Sequence, residues 1–137
     1  MSDLRLLSPC LSPEEARMLS PLQLAYVGDS VHALMVRVKL IGDNLKVKDM
    51  HVSATRAVNA VSQAKALQAC MEILSEEETA IVKRGRNAHA RHSAPKSAST
   101  QEYAGATGLE ALLGYLYLTG NFPRLIELSH YLWGEDI

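Results

Sequence analysis

Four serines, each followed three residues later by Glu or Gln, constrain this 137-residue chain more than any other feature: Ser12 with Glu15, Ser20 with Gln23, Ser75 with Glu78 and Ser99 with Glu102. In such a box the serine hydroxyl accepts from the backbone N–H three residues on, and the acid or amide reaches back to the serine N–H. Two donors that a helix start leaves unpaired are thereby satisfied. Pro13 and Pro21 follow two of the serines and suit a first helical turn. Four helix starts in a chain this short leave little room for strands.

The segments between agree. From Pro21 to Ile41, Leu24, Val27, Val31, Leu34, Met35 and Val38 recur at helical spacing, and Gly42 ends the run. Asp49 to Leu74 contains neither proline nor glycine, which predicts one long helix. Ser75 opens a helix running into Lys83-Arg84-Gly85-Arg86, and HARHSAPKSAST, from about His89 to Thr100, reads as an irregular loop. Ser99 caps a helix that runs to Thr119 and stops at Gly120, and Asn121 starts a last one through Trp133. No segment shows the alternation of a half-buried strand, and there is no internal repeat. The fold class expected is all-α, a helical bundle of one domain over residues 1–137.

Apolar residues make up 47% of the chain, enough for a single core. The amino-terminal segment lacks the pattern of a secretory signal, and no stretch approaches the ~18 apolar residues of a membrane span. A soluble, cytoplasmic protein is expected. Cys10 and Cys70 have no metal-ligand spacing and are too few for a disulfide scaffold; Cys70 is expected to pack in a helix.

Two carboxylates stand out by isolation. Asp29 is the one acid between Pro21 and Gly42, and Glu110 the one acid between Tyr103 and Ile126. Asp29 has Ala25 and Ala33 one turn away, and Glu110 has Ala106, Leu113 and Gly114. An ionised carboxylate in such surroundings is costly unless paired or bound to a metal. Gly28 lies mid-helix at a cost of about 1 kcal/mol relative to alanine, which implies a close approach to that backbone. Each acid could face solvent at a helix edge or pair with a base such as Arg37. Together they could equally form a hard-oxygen site for Mg2+, an ion that takes one or two carboxylates and keeps several waters.

A net charge of −1 hides an uneven distribution. Between Thr79 and Gln101 there is no acid, while Lys83, Arg84, Arg86, Arg91 and Lys96 contribute five positive charges; the rest of the chain carries 9 basic against 15 acidic residues. Such a stretch is either a solvated face or a set of phosphate contacts that position a nucleic acid without reading its sequence. No aromatics interleave it, so stacking on single-stranded bases is not indicated.

The motif LAYVGDS (Leu24 to Ser30) resembles the signature helix of the ribonuclease III family, and GLEALLGYLYLTGN (Gly108 to Asn121) resembles its second acidic motif. KVKDMH (Lys46 to His51), KRGRNA (Lys83 to Ala88) and the Pro95-Lys96 pair are similar to the short branch, Mini-ribonuclease III. The likeness covers about residues 20–133. It implies an all-helical, homodimeric endonuclease domain and Mg2+-dependent cleavage of double-stranded RNA to 5′-phosphate and 3′-hydroxyl ends. For the short branch it implies maturation of the large-subunit (23S) ribosomal RNA precursor, with a large-subunit ribosomal protein as a further partner.

On this resemblance Asp29 and Glu110 take the catalytic and metal-binding positions. The larger enzymes carry further acids where this chain has Ala25 and Thr107, and the resemblance includes no separate double-stranded-RNA-binding domain. His32, His51 and Thr107 are candidate accessory residues, although packing or hydrogen bonding would account for either histidine. The competing reading is a catalytically inactive RNA-binding or scaffolding protein that keeps the same fold, and a generic helical interaction domain is the more distant one.

Overall fold

A computed structural model of the protein describes residues 5–42, 46–58, 60–92 and 100–132. Among them lie seven α-helices: α1 (Pro13–Arg17), α2 (Pro21–Gly42), α3 (Val47–Val58), α4 (Ala60–Cys70), α5 (Glu76–His92), α6 (Thr100–Leu118) and α7 (Phe122–Leu132). A short 3-10 turn at Met71–Ile73 joins α4 to α5, and the described residues contain no strand.

Three of the four capping boxes close as expected. Ser12, Ser20 and Ser75 each accept from the N–H of the third residue on, at 3.1 Å in every case. Each serine N–H in turn donates to the side chain of Glu15, Gln23 or Glu78. Ser99 lies outside the described residues. At the other end of α6, Gly120 adopts φ +72°, and the N–H groups of Gly120 and Asn121 donate back to Tyr117 and Leu116 at 3.0 and 2.8 Å. That left-handed residue satisfies two carbonyls a helix end would otherwise leave open, and only glycine adopts it freely.

Two boundaries differ from expectation. The helix foreseen from Asp49 to Leu74 begins earlier, at Val47, and is helical on both sides of Asn59, which lies outside the described residues; its end tightens into the 3-10 turn before Leu74. The loop foreseen from about His89 starts later, because α5 continues to His92. Residues 89–92 contain no proline or glycine to stop the helix, so polarity alone misplaced the boundary.

The core is organised around α6, whose Leu109, Leu112, Leu113 and Leu116 are buried. Against it pack α2 (Leu24, Val31, Val36, Leu40), α4 (Leu67, Cys70) and α5 (Ile81, Val82), with Leu125, Leu128 and Leu132 of α7 closing one side. Burial pushes the Cys70 thiol up to about 11, so it behaves as a small apolar group. α6 is apolar around nearly its whole circumference, the pattern of a helix surrounded by others.

Such enclosure requires close approach, and glycines supply it. A Cβ on Gly85 would lie 2.9 Å from the Cα of Gly108, so α5 and α6 cross there backbone to backbone. α2 and α6 cross in the same way at Gly28 and Gly114. A Cβ on Gly28 would lie 2.5 Å from the Glu110 carbonyl carbon and nearer still to its oxygen, and one on Gly114 would lie 2.9 Å from the Leu24 carbonyl carbon. The mid-helix glycine that seemed wasteful in the sequence is thus required by this crossing.

The apolar stripe read along α2 divides in two. Leu24 and Val31 face the core, whereas Leu34 and Val38 are more than half exposed. With Phe122, Leu125 and Ile126 of α7 they line an open apolar groove of about 480 Å³.

Two polar ties secure the periphery. Arg124 of α7 donates to both carboxylate oxygens of Glu78 at 2.7 and 2.8 Å, and to the Ile73 carbonyl at 2.8 Å. Burial pushes the Glu78 carboxyl up, but Arg124 and the Ser75 cap outweigh it and leave it below the usual carboxylate range. Glu77 accepts from Arg17 of α1 and from the Tyr115 hydroxyl of α6.

Candidate active site

The α2–α6 crossing decides what Asp29 and Glu110 do. Gly28 precedes Asp29, and its N–H side lies against Gly114, one helical turn beyond Glu110. With the backbones in contact, the side chains beside the crossing converge. Asp29 lies on the exposed rim and Glu110 is half-buried. The two carboxyl groups are within hydrogen-bonding reach, and the Glu110 carboxyl is pushed up to about 8. Burial is the largest cause and the adjoining Asp29 the next; the one group pulling the other way is the Gln63 amide.

Two carboxylates that repel each other beside a crossing must share a proton or bind a cation. Among the described residues no group of three or more His, Cys, Asp or Glu side chains is placed to hold a metal. What the described residues offer a cation at this point is a pair of hard carboxylate oxygens, without sulfur or imidazole. That chemistry suits an ion which keeps most of its shell as water better than a tetrahedral zinc ion.

Behind the pair lies a buried polar layer. His32, one turn after Asp29, is fully buried, and burial lowers its pKa to about 4 against a smaller opposing pull from Asp29, so the ring is neutral at pH 7. Gln63 of α4 is 3% exposed, and its Nε2 lies 3.5 Å from both His32 Nδ1 and Glu110 Oε2. Sequence reasoning did not single out Gln63. The available signal was an amide within the small-residue run of α4, but its meaning depends on α4 packing against α6.

The other candidates are distributed differently. Thr107, one turn before Glu110, donates its hydroxyl to the Tyr103 carbonyl at 3.0 Å. His51 is exposed at the start of α3, which packs on α2. Lys83 is exposed on α5. Arg84 turns towards α1, donating to the Arg17 and Leu19 carbonyls at 3.4 and 3.3 Å. Arg86 lines a separate groove with Ala64, Gln68, Gln101 and Gly105. Gly105 and Glu110 are five residues apart, about 140° around the helix, so that groove opens on a different face of α6 from the carboxylate pair. The Arg91 side chain and Lys96 lie outside what the structure describes.

Comparison with known proteins fits this arrangement. The family model for the ribonuclease III domain matches residues 22–121, which contain both carboxylates and the α2–α6 crossing. The chain belongs to the ribonuclease III family. A Mini-ribonuclease 3 from Symbiobacterium thermophilum is 49% identical over 111 residues, covering 80% of this chain and 85% of that one. Another, from a Thermoanaerobacter species, is 45% identical over 123 residues, covering 87% and 86%. A crystal structure of a Fusobacterium nucleatum protein superposes with a TM-score of 0.78 at 26% identity, covering 90% of this chain and 98% of that one. The short-branch resemblance read from the motifs is thus supported across most of the chain, and the protein is an endoribonuclease. No helix among the described residues is long and apolar enough to cross a membrane.

Proposed function

We propose that the protein cuts double-stranded RNA at a Mg2+ site held by Asp29 and Glu110, and that two copies act together. The observation that carries the reading is the meeting of two isolated carboxylates beside a glycine-to-glycine helix crossing. Bound there, the ion supplies a water of lowered pKa for in-line attack and neutralises charge on the phosphate. Asp29, exposed on the rim, and the half-buried Glu110 would hold the ion between them, and the ion's charge would offset the repulsion between these acids and the RNA backbone. The half-buried setting of Glu110 keeps bulk water from competing for its oxygens.

Lys83, exposed on α5, is proposed for a phosphate contact, with Arg86, Arg91 and Lys96 as further candidates; Arg84, a leading candidate in the basic stretch, is set aside because its guanidinium donates to the Arg17 and Leu19 carbonyls. Recognition of an A-form helix proceeds by shape, because its shallow minor groove displays 2′-hydroxyls rather than a distinctive base code. The homodimer forms, on this reading, through the apolar groove of α2 and α7. Leu34 and Ile126 are 62% and 63% exposed there, a costly display for a chain acting alone. The natural substrate proposed is a duplex stem in the cytoplasmic precursor of large-subunit (23S) ribosomal RNA, with a large-subunit ribosomal protein aiding its presentation.

Incubation of duplex RNA with and without Mg2+, with Asp29→Asn as control, tests the core of this. Cleavage should need the ion and vanish in the variant while its helical content and sedimentation stay unchanged. Full activity of Asp29→Asn would remove the mechanism, whereas a parent protein that binds duplex RNA but does not cut it with Mg2+ would leave an RNA-binding scaffold as the better reading.

A further inference from the structure

Gln63 is a buried amide that bridges two groups on different helices. It stands on α4, His32 on α2 and Glu110 on α6, and its Nε2 is 3.5 Å from His32 Nδ1 and from Glu110 Oε2. Glu110 is ionised when it holds a cation, and a carboxylate oxygen can only accept, so in that state the amide presents its NH2 end to Glu110. An amide nitrogen cannot accept either. His32 Nδ1 is therefore the acceptor of the second N–H, and the imidazole proton sits on Nε2. Each hydrogen of one NH2 group has a different acceptor, and turning the amide over would aim its carbonyl at both.

We propose that Gln63 is a positioning residue for the divalent-ion site: its amide holds Glu110 Oε2, and His32 holds the amide. The inference rests on the reading of Asp29 and Glu110 as the ion's ligands. At 3.5 Å both contacts are at the outer limit of hydrogen bonding, so the amide steers the carboxylate without neutralising it. Steering matters because an ion held by only two carboxylates relies on their relative orientation. Outer partners of metal ligands commonly contribute 10- to 100-fold in affinity or activity. Burial of Gln63 and His32 gives the arrangement its rigidity, since neither can rotate into solvent.

The test uses the intact protein with Mn2+ as the probe, its free concentration read from the spin-resonance signal without RNA. Gln63→Met keeps length and helix propensity but removes both donors. It should weaken Mn2+ binding at least tenfold and raise the Mg2+ concentration for half-maximal cleavage in parallel, leaving KM for RNA at saturating Mg2+ within twofold. His32→Leu should weaken Mn2+ binding in the same direction by a smaller factor. The double variant should be no weaker than Gln63→Met alone, because His32 acts through the amide. Mn2+ affinity within twofold of the parent in a folded Gln63→Met protein overturns the proposal, as does a raised KM for RNA with unchanged ion affinity. If Gln63→Met does not fold, His32→Leu decides, and unchanged Mn2+ binding there overturns it. Asp29→Asn separates the two levels. Loss of binding in Asp29→Asn but not in Gln63→Met rejects the role of Gln63 alone, whereas equal binding by Asp29→Asn and parent rejects the ion site itself.

Discussion

Replacing Gly28 by alanine probes the one contact on which the active-site geometry depends. On helix propensity alone the change should stabilise α2 by about 1 kcal/mol, since glycine is the poorer helix former by that amount. The structure predicts the opposite. The new Cβ would lie 2.5 Å from the Glu110 carbonyl carbon and 2.9 Å from the Gly114 nitrogen, both backbone atoms that no rotamer change can move aside. Relief requires α2 and α6 to separate by well over an ångström, loosening the most extensive helix contact among the described residues. Overpacking of a tight core costs about 1–3 kcal/mol when side chains can adjust, and a backbone collision belongs at the upper end. A net loss of about 2 kcal/mol or more is therefore expected after the propensity gain. Urea unfolding followed by circular dichroism measures it, with Gly42→Ala as control because a Cβ there meets nothing within 4 Å. Gly42→Ala should be nearly neutral. Separation of the helices should also pull Glu110 from Asp29, so Mg2+-dependent cleavage should fall further than the lost stability explains. A Gly28→Ala protein as stable as the parent would refute the crossing and the convergence built on it.

Other expectations follow from particular contacts. Arg84→Ala should lower stability by about 1 kcal/mol through loss of its bonds to the Arg17 and Leu19 carbonyls, with the salt dependence of RNA binding unchanged. Lys83→Ala should leave stability alone and reduce the slope of log affinity against log salt by about one; an unaltered slope removes Lys83 from the RNA contact. Arg124→Ala leaves the Glu78 carboxylate buried without its cation, for a loss of about 3 kcal/mol in urea unfolding, and a loss under 1 kcal/mol would show that water replaces the guanidinium. His32 has a folded pKa near 4 against 6.5 unfolded, so the unfolded chain binds more protons between those values. Its contribution to stability is complete above pH 6.5 and is lost as pH falls towards 4, to a limit of about 3 kcal/mol. Glu110 has the opposite sign between 4.5 and about 8, so the quantity to measure is the difference between parent and His32→Leu across pH 4–7, which should grow as pH rises.

The residues legible from sequence share one property: their meaning is local. A capping box involves four consecutive residues, and a glycine at a helix end acts on the turn before it. The starts at Ser12, Ser20 and Ser75, the stop at Gly120 and the all-helical class could be read directly for that reason. Asp29 and Glu110 could be singled out because isolation of an acid on an apolar helix is visible in one dimension. Gly28 signalled a close approach, but its partner could not be named.

Which helices cross, and at which residues, was decided in three dimensions. Glu110 meets Asp29 because Gly28 and Gly114 lack side chains at the same crossing, a coincidence of two positions 86 residues apart. Gln63 acquires its role only when α4 sets its amide between α2 and α6. Arg84 and Arg86, adjacent on one basic stretch, diverge to different faces because residues two apart on a helix point about 200° apart. Local hydrogen bonding and periodicity determined the elements, whereas their assembly depended on long-range packing, in which every contact is set by shape on both sides.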